Sequence, residues 1–149
     1  MGYYMTMHDM KINIPKANHD RCLKAIKALA AHAWSVRGGH PFSWVRTSEF
    51  ADATTLREAL AAWRWVDTDQ DLVNPDEFEH GDIRSLYFAG EKLGDDAQLM
   101  GAIAPYVEPG SYIEMHGEDG DRWRWYFDGE SCVQQQGRTV YDDEEAILL

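Results

Sequence analysis

The sequence predicts an α+β fold: an antiparallel sheet of about five to six strands with two main helices on one face, a ferredoxin-like (split β-α-β) core extended by C-terminal hairpins. Three observations carry this. Residues Gly110 to Phe127 read as a β-hairpin in which Trp123, Trp125 and Phe127 share one period-2 phase and Arg122, Arg124 and Tyr126 the other. One sheet face is then aromatic and the opposite face cationic. Two other stretches, around Ile26 and around Met100, place apolar residues at helical spacing, and the elements follow in the order strand, helix, short helix, strand, strand, helix, strand, strand, strand. A chain of 149 residues, 44% hydrophobic, suffices for one domain with its own core, spanning 1–149.

Tyr4 to Ile14 is the first strand. Met10, Ile12 and Ile14 share one phase and Met5 and Met7 the other, so a slip near His8-Asp9 predicts a β-bulge or a later strand start. Pro15 ends it. Asn18 is placed to cap the following helix, with Asp20 in its first turn, and Cys22, Ile26, Leu29, Ala30 and Ala33 form the inward stripe. From Ser35 to Ala53 the pattern dissolves into a loop with two large aromatic groups, Phe42 and Trp44.

Thr54 or Thr55 opens a short helix to Trp63, with Glu58 at capping-box spacing from Thr55. Trp63, Trp65 and Val66 lead into a short strand. Asp67 to Asp82 is read as an exposed acidic loop, and Ile83 to Ala89 as a strand with Leu86 and Phe88 inward. Gly94-Asp95-Asp96 starts a helix whose apolar set is Leu99, Met100, Ile103 and Ala104, ending at Pro105. After the hairpin, whose turn is Gly117-Glu118-Asp119-Gly120, Asp128-Gly129-Glu130 makes a second turn and Cys132 to Gln136 a last strand. The tail, 142–149, joins a charge run to an apolar end and either docks as a helical turn or frays.

Twenty-six acids against fourteen bases give a formal charge of −12, which opposes direct binding to nucleic acid or to an anionic membrane. No run approaches membrane-spanning length and the first residues lack a secretion signal's positive and apolar regions, so a cytoplasmic location is expected. Cys22 and Cys132 read as reduced thiols.

Signatures of chemistry are weak. Asp67-x-Asp69-x-Asp71 resembles the start of a calcium loop, but Leu72 stands where glycine is needed and Phe78 where a bidentate glutamate is needed. The histidines at 8, 19, 32, 40, 80 and 116 show no metal-site spacing; His116 with Glu114 and Glu118 would meet only on an exposed hairpin. No serine lies in a nucleophile elbow and no Gly-x-Gly phosphate loop occurs. No catalytic residue, cofactor or metal is therefore expected. Arg122 and Arg124 are expected to pair across strands with Glu114 or a neighbouring acid.

Glu91-Lys92-Leu93-Gly94-Asp95, Ala104-Pro105-Tyr106-Val107, Gly110-Ser-Tyr-Ile-Glu114, Gly117-Glu-Asp-Gly120 and Trp123-Arg-Trp125 together resemble small acidic proteins encoded by bacteriophages and prophages, mainly of actinobacteria. The resemblance covers mostly residues 80–128. It implies a bacterial host cell as the setting and carries no catalytic residues.

The leading expectation is thus a non-enzymatic acidic protein-binding module, an inhibitor or modulator of a basic, nucleic-acid-binding host or defence protein. Its contact residues would be the loop acids Asp67, Asp69, Asp71, Asp76, Glu77, Glu79 and Asp82 and the hairpin-tip acids Glu118, Asp119 and Asp121. A homodimer is compatible with this. One alternative is an immunity or antitoxin protein against a basic nuclease. Another is a small enzyme or ligand-binding domain with its site near Phe42 to Trp44.

Overall fold

A computed structural model describes residues 2–36, 42–71, 74, 76 and 81–147. The side chains of 32–36, 47, 48, 70 and 71 lie outside that description, as do the sequence expectations that fall on 37–41, 72, 73, 75, 77–80, 148 and 149.

The strands are β1 (Tyr3–Lys11), β2 (Trp65–Val66), β3 (Tyr87–Phe88), β4 (Lys92–Leu93), β5 (Tyr112–Gly117), β6 (Arg122–Phe127) and β7 (Cys132–Gln136). The helices are α1 (His19–Val36), α2 (Thr47–Ala51), α3 (Leu56–Ala62) and α4 (Asp96–Ile103). Five strands form one antiparallel sheet in the order β4-β1-β5-β6-β7, and β2 and β3 form a separate two-stranded ladder.

The mixed α+β class holds, but this strand order does not reproduce the expected split β-α-β core. That arrangement needs the strand after α1 to enter the main sheet, whereas β2 pairs with β3 alone. Residues 83–89 form a bridge at Ile83 to Ile14 and the two-residue β3, not one continuous strand. Leu86 and Phe88 are buried as expected.

The predicted bulge is present. The β1–β5 register steps from Met7 opposite Met115 to Asp9 opposite Glu114, leaving His8 as the extra residue. An added residue restores the phase: Met5 and Met7 lie inward before it, and Met10 and Ile12 after it. The hairpin alternates as its sequence requires, with Trp123, Trp125 and Phe127 buried and Arg122, Arg124 and Tyr126 half-buried on the other face.

One core cluster joins the inward sheet residues Ile113, Met115, Trp123 and Trp125 to Cys22 and Ile26 of α1, Leu60 of α3 and Leu99, Met100 and Ile103 of α4. Both cysteines are free thiols, and burial pushes each up to about 12. Asn18 does not act as the expected cap: its side chain accepts from Arg21 at 2.6 Å and donates to the Tyr106 carbonyl at 3.1 Å.

The α3 cap holds with one displacement. Thr55 Oγ1 accepts from the Glu58 amide at 3.2 Å, while the Glu58 carboxylate returns to the amide of Thr54, at 3.0 Å, rather than to that of Thr55. Thr55→Ala is expected to cost about 1 kcal/mol in urea denaturation. A cost indistinguishable from zero would show that Glu58 alone sustains the helix start.

Candidate functional site

The hairpin tip is built so that its acids are fixed without being neutralised. Gly120 turns the chain at φ 84°, and Gly117 is needed because a Cβ there would occupy the space of the Tyr3 hydroxyl. Glu118 grips Tyr4 twice, donating its amide to the Tyr4 carbonyl at 3.0 Å and accepting the Tyr4 amide at its carboxylate at 3.3 Å. Asp119 accepts from the Tyr3 hydroxyl and from the Asp121 amide. Asp121 accepts from the Arg122 amide and from the Gln136 side chain.

Every one of these donors is uncharged. Among the described residues no lysine or arginine forms an ion pair with Glu118, Asp119 or Asp121. The Tyr3 hydrogen bond, helped by the Asp121 amide, holds the Asp119 carboxyl below the usual carboxylate range, and the same bond pushes the Tyr3 phenol up to about 12. Asp119 thus keeps its negative charge at neutral pH.

The loop acids divide. Asp67 corrects the reading of an exposed loop: its side chain is only 3% exposed and pairs with Arg57 at 2.9 Å, while its other oxygen accepts from the Asp69 amide at 2.9 Å. Both oxygens are spent inside the fold, so Asp67 is closed to a partner and to the calcium site that its sequence resembles. Asp69 is half-buried, Asp76 is exposed, and half-buried Asp82 accepts from the Lys16 amide at 2.8 Å. The side chains of Asp71, Glu77 and Glu79 lie outside the described residues.

On the outward sheet face, Glu114 stands directly opposite Arg124 in register, yet the expected cross-strand ion pair does not form. The Arg124 Nε and Nη2 donate to Gln135 Oε1 at 2.8 and 2.6 Å, and its guanidinium lies 5.4 and 5.5 Å from the ring centres of Tyr112 and Tyr126. Stacking on two rings turns the planar group toward β7. Arg122 donates to Thr139 Oγ1 at 2.5 Å. A groove of about 430 Å3 runs along this face between Glu114, Arg122, Arg124, Gln135 and Arg138.

Beside the groove, the rings of His8 and His116 stack at 4.2 Å, 14° from parallel. Glu114 Oε1 is 3.8 Å from His116 Nε2. Sequence spacing misses this trio, because His8 arrives from the other end of the chain through β1–β5 pairing. The phase slip at His8-Asp9 was its one visible sign.

No family model matches the chain, and no curated protein or solved structure is similar to it.

The two aromatic groups of the loop divide. Phe42 is buried against Trp63 with ring centres 5.1 Å apart. Trp44 is half-exposed at φ 64° and lies under the Lys92 ammonium at 5.4 Å. An open cleft of about 250 Å3 runs from it past Arg64, Gly90 and Glu91. No helix among the described residues is long and apolar enough to cross a membrane.

Proposed function

We propose that the protein is a non-enzymatic binding module whose hairpin tip enters the basic groove of a protein partner, presenting carboxylates where nucleic-acid phosphates would lie. The observation that supports it is the pairing of Glu118, Asp119 and Asp121 with neutral donors only: the oxygens are held in place while their charge stays uncompensated. Fixed like charges cost little ordering on association and steer a basic partner from a distance. Trp63, Trp65, Trp123 and Trp125, all buried, belong to the scaffold that carries the tip. In this reading the partner is a nucleic-acid-binding factor of a bacterial cell or of its defence.

Asp67, closed off by Arg57, takes no part in the contact. Neutralising the tip tests the reading. The protein carrying Glu118→Gln, Asp119→Asn and Asp121→Asn keeps side-chain acceptors and loses the charges. Affinity capture from a bacterial lysate at about 0.1 M salt should recover basic proteins with the natural chain and not with this variant. Equal recovery by both would place the contact elsewhere.

A further inference from the structure

We propose that His8, Glu114 and His116 form a binding site for a divalent metal ion of the zinc class on the outward face of the sheet. The proposal does not depend on the hairpin-tip reading. One ring nitrogen of each histidine and one carboxylate oxygen of Glu114 lie within 4.8 Å of one another. A tetrahedral centre with bonds of about 2.0–2.1 Å places its ligand atoms roughly 3.4 Å apart. The His116–Glu114 pair, at 3.8 Å, is nearly there. The remaining contraction requires the stacked rings to splay, which exposed His8 can do by rotating about its own side-chain bonds.

Two further observations point to a ligand. The first is the bulge. In an unbroken ladder His8 would face Glu114; the extra residue hands that position to Asp9 and moves His8 over His116. Bulges recur where a strand re-aims a functional side chain. The second is His116 Nε2 itself, which is closed to water and has no hydrogen-bond partner. A ring nitrogen left so is costly, and a metal ion would satisfy it.

The donor set selects the ion. Two neutral imidazoles and one carboxylate suit zinc and its neighbours, whereas calcium and magnesium require oxygen ligands throughout. The two guanidiniums opposite His116 and Glu114 in register are engaged elsewhere, Arg122 with Thr139 and Arg124 with Gln135, and Asp9 accepts from the Tyr112 hydroxyl at 2.9 Å. Three protein ligands leave one position for water or an anionic group.

Calorimetry on the full chain, carrying no affinity tag, tests the site. Zinc chloride should bind with one tight equivalent, and His8→Ala, His116→Ala and Glu114→Gln should each weaken that equivalent by roughly 100-fold, the upper range for losing even an outer-shell group. His8 is exposed, so its substitution leaves the core untouched, and circular dichroism without metal checks the fold. Cobalt(II) supplies a second readout: its visible absorption when bound should disappear in His8→Ala and persist in the tail variant Asp142→Asn/Asp143→Asn. Unchanged zinc affinity in both histidine variants, or cobalt absorption that follows the tail acids, would overturn the proposal, as would no binding heat at all.

Discussion

Asp96→Ala is expected to destabilise the fold by about 3–5 kcal/mol, the cost of leaving a buried charge without its partner. Asp96 is fully buried, and its carboxylate accepts from Trp65 Nε1 at 3.1 Å, from Arg64 Nη2 at 3.0 Å and from the Gly94 amide at 3.0 Å. Arg64 is committed as well. It sits at φ 72°, donates Nη1 to the Lys92 carbonyl at 2.6 Å and packs its guanidinium 5.0 Å from the centre of the Phe88 ring. Removing the carboxylate takes a partner from a largely buried guanidinium and from two neutral donors. Urea denaturation followed by circular dichroism reads the loss. A change below about 1 kcal/mol, as for an exposed pair, would contradict the buried-network account.

Trp125→Ala is expected to cost a similar amount, about 3–5 kcal/mol, through the cavity it leaves. The indole is 2% exposed and meets Trp65 and Trp123 edge-on at 6.2 and 6.0 Å, so it joins the sheet to the β2–β3 ladder. Its N–H also donates to Gln134 Oε1 at 3.1 Å, fastening the edge strand β7. Trp44→Ala, at a half-exposed site, should lose far less under the same denaturation. Equal losses at the two positions would mean that Trp125 does not bear on the core as described.

The elements with enough residues to display a period were legible in the sequence. The β5–β6 hairpin, the α1 stripe, the α4 apolar set and even the bulge at His8 all follow from which positions must avoid water. Among the short elements, α3 and β2 were anticipated from a capping box and an aromatic pair, whereas α2, of five residues, and β4, of two, carry neither a cap signal nor a period. Beyond the turn-linked run β5-β6-β7 the strand order was illegible for another reason, because local pattern fixes each strand's faces and not its distant neighbours.

Among the acids, the sequence does not separate Asp95 from Asp96, adjacent at one helix start, although the second is buried against Arg64. Asp67 is the same case, with Arg57 as its hidden partner. The candidate site was half visible. The turn chemistry of Gly117 to Gly120 located the tip acids, but their neutral donors Tyr3 and Tyr4 come from the far end of the chain, and Gln136 from the strand that follows the hairpin.

The uncompensated charge of the hairpin tip is tested most directly by how affinity for a captured basic partner varies with salt. Log Kd should rise steadily with log salt concentration, and the Glu118→Gln/Asp119→Asn/Asp121→Asn chain should show both weaker binding and a shallower slope. An identical slope for the two proteins would contradict it.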